Sequence, residues 1–516
     1  MIQGTVILTL TSFVVKVLSA VYRVPYQNLV GDEGFYVYQQ IYPIYGIGMT
    51  LALTGLPLYL SKVLAGTKTA EEEQKQLGAF VLVTSLLAVV IFFFLFLLAT
   101  PLAKMMGDIA LSPLIKTVAW FFLLVPLLAS FRGFYQGNLE MKPTAVSQLV
   151  EQGVRVLIIL SAGYCFVAFD WSIYLTGNVA MLGALIGGIF ALVILGYYQK
   201  QYPLRFSFKG LTKKDFLLTL RKLLTEGGTL CVFSAYLILF QLVDAFSVKQ
   251  FLVYGGMTDS MAKVTKGVFD RGQPLAQLGL VVAVSMTAAF LPPLTKYYIE
   301  NKRTAYEDMV ASYIKVAAVI STAAALGLAL VLPYINVTLF SDNQQELTLS
   351  LFVLSIFFVS MIQTFQTIYQ SQNLVRYQLF GAVAGLFAKV IWTPVFTFYF
   401  QTIGTSLSTL FGLSVCMSVL WWYLGKTTQR KKIPQADIKK LLVSLCLMGG
   451  TLILYRLLLA QMEWQVLGRG MSLVFTLLGV MLGGAVYLIS IIKSGLFTQE
   501  EWEMLPYGKK IAKRLF

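Results

Sequence analysis

Long apolar runs, separated by short polar loops, follow one another along almost the whole chain. A helix of about 20 apolar residues can cross the hydrocarbon core of a bilayer, and the pattern predicts about fourteen such spans in groups of six, six and two. The predicted spans lie near residues 4–22, 35–60, 77–100, 114–136, 143–167 and 172–198, then 224–250, 267–295, 310–334, 347–371, 377–399 and 402–425, and finally 438–460 and 468–492.

This grouping predicts an all-α membrane protein with two six-helix lobes and two additional C-terminal helices. The parts of the chain are then an N-lobe at 1–198, a basic linker at 199–222, a C-lobe at 223–425, a second basic linker at 426–437, the last two spans at 438–493 and a tail at 494–516.

Short motifs recur between the two predicted lobes. Tyr135-Gln136 recurs as Tyr369-Gln370, and a cation follows each tyrosine by twenty residues, Arg155 in the first lobe and Lys389 in the second. Leu56-Pro57 likewise recurs as Leu291-Pro292. Because six spans separate the copies, both repeats start on the same side of the membrane, an arrangement known in secondary transporters.

Composition supports the membrane assignment and excludes several kinds of chemistry. The chain is 57% hydrophobic and 12% charged, with mean hydropathy +0.75, whereas soluble proteins carry about 25% charged residues. It contains no histidine, which excludes a Ser-His-Asp triad and histidine metal ligands. The four cysteines lie singly in apolar runs, which indicates packing residues rather than disulfides or metal ligands. We therefore expect no cofactor, no metal and no enzymatic activity.

The distribution of lysine and arginine predicts the orientation. If the N-terminus is cytoplasmic, most basic residues fall in inside loops, above all in the two linkers, and the C-terminus is cytoplasmic as well. The net charge of +16 is then explained by topology and by anionic membrane lipids, and no nucleic-acid partner is expected.

Charged residues inside predicted spans are the main functional signal, because a charge at the bilayer centre costs about 2.5 to 3.5 kcal/mol. Lys16 and Arg23 lie seven residues apart and share a helix face. Glu33 precedes the second span, which contains Gln40. Asp270 and Arg271 open the eighth predicted span, and Gln273 follows them. The four charged residues other than Lys16 could instead lie near span ends and reach the interface, which is less easy for Lys16, about twelve residues into its predicted helix.

Among three further charges, Arg155 and Asp244 have competing interpretations. Arg155 could line a cavity, or it could pair with Glu151 four residues earlier on the same helix. Lys389, its repeat partner, has no such carboxylate. Asp244 could bind a coupling cation or pair with a lysine.

These residues would give a polar cavity more cations than anions and so favour an anionic substrate. Arginine suits phosphate because its planar fork forms two parallel hydrogen bonds. The predicted cations are Lys16, Arg23, Arg271 and Lys389, and the predicted anions are Glu33, Asp244 and Asp270.

Four sequence runs carry a family resemblance: K-V-L-S-A-V-Y-R from Lys16, G-D-E-G-F-Y from Gly31, D-R-G-Q-P from Asp270 and L-P-P-L-T-K from Leu291. They resemble the MurJ-type lipid II flippases, in the Gram-positive branch of the multidrug, oligosaccharidyl-lipid and polysaccharide exporter superfamily. Two departures are notable. An acid that some members carry after the eighth-helix arginine is replaced by Gln273-Pro274, and the second-helix arginine of Gram-negative members has no counterpart among residues 42–50.

The resemblance implies a function without covalent chemistry. Such a protein exports lipid II, or another undecaprenyl-pyrophosphate-linked glycan, from the inner to the outer leaflet of the bacterial cell membrane by alternating access. It implies substrate-binding roles for Lys16, Arg23, Glu33 and Arg271, and a groove for the lipid tail in the last two helices. Cell-wall synthesis or division machinery is a further expected partner. A drug antiporter, a glycosyltransferase and a scaffold remain as alternatives.

Overall fold

The computed structural model describes residues 17–428, 434–461 and 468–504, together with the single residues 11, 14, 15 and 508. These residues form helices joined by short loops, and no β-strand occurs among them. Lys16 lies outside the described residues. We number the helices α1 to α19 in chain order, beginning at Arg23.

The first nine helices precede the turn at Ala235. They are α1 (Arg23–Thr50), α2 (Leu56–Leu64), α3 (Ala70–Leu97), α4 (Ala99–Met105), α5 (Ser112–Gly137), α6 (Met141–Phe169), α7 (Ile173–Tyr198), α8 (Lys213–Lys222) and α9 (Gly228–Ser234). Short π-helical segments, Leu51–Gly55 and Leu223–Gly227, join α1 to α2 and α8 to α9.

Ten helices follow in the rest of the described chain. They are α10 (Tyr236–Tyr254), α11 (Asp259–Asp270), α12 (Gly272–Ile299), α13 (Arg303–Phe340), α14 (Glu346–Val353), α15 (Ser355–Ser371), α16 (Val375–Thr427), α17 (Gln435–Ala460), α18 (Gly468–Ser494) and α19 (Gln499–Glu503).

Eleven helical stretches in the described part of the chain are long and apolar enough to cross a membrane. Two of them, Val17–Leu64 and Arg376–Thr427, contain 48 and 52 residues. Arg376–Thr427 covers two predicted spans, whereas Val17–Leu64 covers the predicted span 35–60 and only the end of the predicted span 4–22. Both helical stretches run through a predicted loop. Each is interrupted by one residue with a positive φ, 70° at Gly31 and 53° at Gln401. The prediction of an all-α membrane protein with many spans is confirmed.

Local sequence fixes where several helices begin. Thr69 precedes α3, and its hydroxyl accepts a hydrogen bond of 3.2 Å from the Glu72 backbone N–H. Thr212 and Asp215 form a reciprocal capping box at α8, as Thr498 and Glu501 do at α19. These caps satisfy backbone donors that a helix N-terminus otherwise leaves without partners, so the loops hold the helix ends in place.

The described chain divides into two compact units. Unit 1 comprises Met1–Asp270 and Thr393–Gln401, and unit 2 comprises Arg271–Trp392 and Thr402–Phe516. The chain therefore passes between units once inside the predicted eighth span and twice inside α16. The lobes predicted at 1–198 and 223–425 are defined by span number and stay a prediction.

Close helix approaches in unit 1 depend on glycine. A Cβ atom at Gly187 of α7 would lie 2.7 Å from the Glu151 carbonyl oxygen of α6, and one at Gly183 would lie 3.2 Å from the Arg155 carbonyl oxygen. Small residues at this spacing let two membrane helices pack backbone against backbone. The packing fixes α6, which carries Glu151 and Arg155.

In unit 2 the last two long helices pack against α13. The Tyr487 hydroxyl of α18 donates a hydrogen bond of 2.6 Å to the Val319 carbonyl. Lys315 of α13 lies 3.0 Å from carboxylate oxygens of both Asp437, at the start of α17, and Glu501, in α19. These contacts join α13, α17, α18 and α19 into one group.

The predicted repeat has a structural counterpart within each unit. The Tyr135 hydroxyl donates to the Leu195 carbonyl at 3.2 Å, and the Tyr369 hydroxyl donates to the Leu420 carbonyl at 2.6 Å. Both tyrosines are fully buried. The following turns also agree, because each contains one left-handed residue, Leu139 or Asn373, at the same distance from its tyrosine. In both motifs the tyrosine therefore links its helix to the carbonyl group of another helix.

Candidate substrate-binding site

Arg23 is fully buried in unit 1 beside a row of tyrosines on the same stretch of helix. Its guanidinium carbon lies 4.4 Å from the centroid of the Tyr42 ring, and it interacts electrostatically with Tyr22 and Tyr38. The Tyr22 and Tyr38 hydroxyl oxygens lie 2.7 Å apart. The aromatic face offers the cation a partial replacement for water.

None of the three guanidinium nitrogens of Arg23 has a hydrogen-bond partner among the described residues. A buried charge without acceptors is costly, since nothing replaces the hydrogen bonds that water would make. Arg23 therefore has unused capacity to bind an anion.

Arg155 lies in the same tyrosine cluster. Its Nη1 donates a hydrogen bond of 2.6 Å to the Tyr45 hydroxyl, and its guanidinium carbon lies 5.7 Å from the centroid of the Tyr22 ring. Its Nε has no hydrogen-bond partner among the described residues. Arg155 thus places a second buried cation on the tyrosine row that contacts Arg23.

The alternative in which Arg155 pairs with Glu151 is wrong. Glu151 instead forms a salt bridge with Arg132 of α5, with 2.6 Å between Oε2 and Nη2. Arg132 also donates to the Ser147 hydroxyl at 3.2 Å and to the Ala52 carbonyl at 3.3 Å. Arg132 binds one oxygen of Glu151, whereas the other, Oε1, has no hydrogen-bond partner among the described residues. Arg155 therefore does not form an ion pair with this carboxylate.

Two buried carboxylates and a lysine lie near Arg23 in unit 1. Asp270 accepts a hydrogen bond of 2.5 Å from Lys266, one helical turn earlier on α11. Asp244 of α10 and Arg23 both interact electrostatically with Asp270. The second carboxylate oxygen of Asp270 has no partner among the described residues. This part of unit 1 therefore contains charges of both signs.

The other predicted residues of unit 1 differ in burial. Gln40 is fully buried, and its amide donates a hydrogen bond of 3.0 Å to the Ala245 carbonyl. Glu33 is half-buried and has no ion pair or hydrogen bond with the described residues.

Three predicted residues belong to unit 2. Arg271 forms two parallel hydrogen bonds with Asp342, of 2.7 and 3.0 Å. Lys389 is fully buried and donates to the Thr409 hydroxyl at 2.6 Å. Gln273 is buried. Arg271 already shows the two-pronged geometry that recognises a planar or tetrahedral oxyanion.

Sequence reasoning missed the partners of the buried charges. The missed partners are Arg132, which pairs with Glu151, Lys266, which pairs with Asp270, and Asp342, which pairs with Arg271. Only Lys266 had a readable signal, its spacing of four residues from Asp270. The prediction for Lys16 concerns a residue outside the described part of the chain.

The sequence is similar to those of known membrane proteins. Residues 1–298 match the model of a family described as polysaccharide biosynthesis protein. The uncharacterized membrane protein YabM of Bacillus subtilis (strain 168) is 33% identical over 516 residues, covering 99% of this chain and 96% of the relative. The lipid II flippase MurJ of the same organism is 32% identical over 215 residues, covering 38% of this chain and 39% of the flippase.

Solved structures share the fold. The lipid II flippase MurJ in an inward closed conformation superposes with a TM-score of 0.70 at 14% identity, covering 95% of this chain and 98% of that one. An inward-facing multidrug resistance transporter of the MATE family superposes with a TM-score of 0.64 at 15% identity, covering 79% and 93%. At this identity the likeness shows the fold alone. The expectation that the chain is a transport protein rather than an enzyme agrees with the flippases and transporters among its relatives and structural neighbours.

Proposed function

Since the chain belongs to the polysaccharide biosynthesis protein family, we propose that it is a flippase for lipid II, the peptidoglycan precursor. It would carry lipid II from the inner to the outer leaflet of the bacterial cell membrane, with both termini in the cytoplasm. Its contribution to the cell would then be cell-wall synthesis and cell shape.

The observation that carries this proposal is the buried guanidinium of Arg23 without an acceptor. A pyrophosphate group offers several anionic oxygens, and an arginine binds such a group through parallel charge-assisted hydrogen bonds. Substrate would supply the hydrogen bonds that the resting protein lacks. A lipophilic cation, the substrate class of a drug exporter, would be repelled at this position.

The neighbouring residues suggest how the rest of a lipid-linked sugar is held. Arg155 would add a second positive charge on the same tyrosine cluster. Gln40 and the tyrosine hydroxyls would accept the polar headgroup. Arg271, Gln273 and Lys389 in unit 2, with Lys16, would complete the predicted set. The last two spans would hold the polyprenyl tail.

No bond is made or broken in this mechanism. Opposed conformations would expose the site alternately to the inner and outer leaflets, and the substrate's charge would be stabilised by fixed cations during passage. Asp244, Asp270 and Glu33 would moderate the positive field, and Asp244 is the residue best suited to a coupling ion. Electrostatic matching of this kind sets which substrates enter the site.

Two rival functions remain within transport. Another undecaprenyl-linked glycan would use the same pyrophosphate contacts, and the family description names neither substrate. A drug antiporter is favoured only by the likeness to the MATE fold. An interaction with cell-wall synthesis or division machinery would follow from lipid II transport.

Depletion of the endogenous lipid II flippase in a bacterium that expresses this chain tests the proposal. We expect growth to continue and lipid II to remain accessible on the outer leaflet. Lysis with lipid II confined to the inner leaflet, while the protein is present in the membrane, would contradict lipid II transport. Expression of Arg23→Ala at equal abundance is the control and should fail to support growth.

A further inference from the structure

A cluster of charged side chains lies at the turn between α10 and α11, apart from the residues considered above. Lys263 lies 3.0 Å from Asp259 and 3.5 Å from Asp108, and Lys249 forms an ion pair with Asp259. The Tyr174 hydroxyl donates a hydrogen bond of 2.7 Å to Asp108. We call this group the tip cluster; it comprises Asp108, Tyr174, Lys249, Asp259 and Lys263.

The tip cluster ties the α10–α11 hairpin to the rest of unit 1. Asp108 and Tyr174 belong to the loop before α5 and to the start of α7, whereas the other three residues belong to the hairpin. Lys249 also donates to the Gly107 carbonyl at 2.6 Å, and the neighbouring Gln250 donates to the Met105 carbonyl at 2.5 Å. Polar contacts from both α10 and α11 thus hold the tip of the hairpin.

The hairpin is bounded by a helix break at each end. Ala235 lies between α9 and α10 with φ −91° and ψ 0°, and Arg271 separates α11 from α12. Proline has no backbone N–H, so Pro274 leaves the Asp270 carbonyl without its helical donor. The first segment of unit 1 also ends at Asp270. Both breaks are places where a helix can change direction at low cost.

Deeper in unit 1 close packing also holds the hairpin, beside the buried charges of Asp244 and Asp270. A Cβ atom at Gly267 of α11 would lie 2.1 Å from the Asp32 carbonyl oxygen, so only glycine permits this approach. The Ala245 carbonyl of α10 accepts the hydrogen bond from Gln40. The hairpin therefore contacts Gln40 of the candidate site directly, and its tip is held by ion pairs.

The tip cluster is within reach of water. The Asp259 side chain is 59% exposed, whereas those of Lys249 and Asp108 are 4% and 5% exposed. The hydrogen bond from Lys249 holds the pKa of Asp259 below its usual range, so this carboxylate stays charged at neutral pH and loses its pairing only in strong acid. Salt and competing charges, rather than physiological pH, would weaken the cluster.

We propose that the α10–α11 hairpin is a gate over the Gln40 side of the candidate site and that the tip cluster is its latch. Tyr174 begins α7 and the basic linker follows the end of α7, so the latch lies at the opposite end of this helix from the linker. The predicted topology makes that end the outer face. This inference rests on the proposed transport function, in which the gate would open the path to the outer leaflet. The latch can nevertheless be tested without any substrate.

The test uses a reporter thiol under the hairpin. Cys165, Cys231, Cys416 and Cys446 are replaced by alanine, and Ala245→Cys provides the reporter, which is 2% exposed as alanine. A membrane-impermeant thiol reagent is added to intact cells, and the labelling rate of the reporter is measured. The compared variants are Lys263→Met, Lys263→Arg and Lys75→Met.

Lys263→Met should label about three to ten times faster than the parent, since it removes both ion pairs of Lys263 from the latch. Lys263→Arg keeps the charge and should label within about twofold of the parent. Lys75→Met is the matched control, because it removes a lysine that lies 3.0 Å from Asp215 elsewhere in unit 1. Equal labelling of all three variants would overturn the latch.

A cross-link separates gate opening from local unfolding. Met105→Cys and Gln250→Cys, joined by a short reagent that bridges two thiols, would fasten the tip to its loop. We expect this cross-link to return the labelling of Lys263→Met to the parent rate. Fast labelling that persists after cross-linking would contradict the gate. If Lys263→Met does not accumulate, the parent in about 1 M salt should label faster by the same route, and no change with salt would equally contradict it.

Discussion

The guanidinium of Arg23 lies 4.4 Å from the centroid of the Tyr42 ring and has no hydrogen-bond acceptor among the described residues. Arg132, equally buried in the same unit, is instead satisfied by Glu151, Ser147 and the Ala52 carbonyl. The contrast assigns different work to two arginines of one unit. Arg132 links neighbouring segments through its hydrogen bonds, whereas the guanidinium of Arg23 forms no hydrogen bond with the described residues.

This contrast predicts opposite effects on stability. Arg23→Met should raise the free energy of unfolding by about 1–2 kcal/mol, because the cost of burying an unpaired charge exceeds the cation–π attraction that is lost. Arg132→Met should lower it by about 3–5 kcal/mol, because Glu151 would lose its partner. Thermal unfolding of the purified proteins in detergent measures both. Destabilisation of the Arg23 variant to the same extent as the Arg132 variant would show that Arg23 is structural.

A second prediction concerns Arg271 and Asp342. If Arg271 serves substrate, Asp342 is a competitor for its guanidinium, so Asp342→Asn should retain transport while Arg271→Ala abolishes it. Arg271→Lys should retain partial activity, since lysine cannot form the two-pronged bond. The measurement is growth after depletion of the endogenous flippase, at matched protein abundance. Equal loss of growth in Arg271→Ala and Asp342→Asn would show that the ion pair has a structural role instead.

The repeat predicts a matched pair of stability effects. Tyr135→Phe and Tyr369→Phe each remove a buried hydroxyl that bonds a helix carbonyl, and each should cost about 1–3 kcal/mol of unfolding free energy. Tyr164→Phe is the control, because Tyr164 is 64% exposed. The same detergent unfolding assay applies. A cost at one repeat position alone would argue against equivalent roles.

Membrane potential supplies a fourth prediction. Lipid II pyrophosphate carries about two negative charges, and each is worth about 2.3 kcal/mol per 100 mV across the full field. Outward movement is then downhill in a cell with a negative interior. Proteoliposomes clamped at zero potential should transport more slowly, and Asp244→Asn should alter the rate without stopping it. A rate that follows sodium or pH instead, and vanishes in Asp244→Asn, would place the driving force in ion coupling.

The sequence was sufficient to predict an all-helical chain with many spans and the tyrosine motifs that recur in it. Hydropathy depends on local composition, and a span needs only length and apolarity, so Arg376–Thr427 covers the predicted spans 377–399 and 402–425. Val17–Leu64 is helical across residues 23–34 as well, which the hydropathy pattern predicts as a loop. The kinks at Gly31 and Gln401 were not predicted as such, because a single positive φ leaves no periodic trace.

Charge pairing between helices was beyond the reach of sequence. Glu151 and Arg155 have ideal spacing for a helical pair, yet Arg132 on a neighbouring helix takes the carboxylate. Spacing along one helix says nothing of which residue a second helix presents. The tip cluster illustrates the same limit, since Asp108 and Lys263 are far apart in the chain and lie 3.5 Å apart in the fold.

Transport of lipid II by the purified protein tests the central claim most directly. Proteoliposomes with lipid II in one leaflet would contain the parent chain, Arg23→Ala or the surface control Lys75→Ala, and appearance of lipid II in the other leaflet would be followed over time. We predict translocation by the parent and by Lys75→Ala, and none above protein-free liposomes by Arg23→Ala. Translocation by Arg23→Ala at the parent rate, or none by the parent itself, would contradict a pyrophosphate-binding flippase.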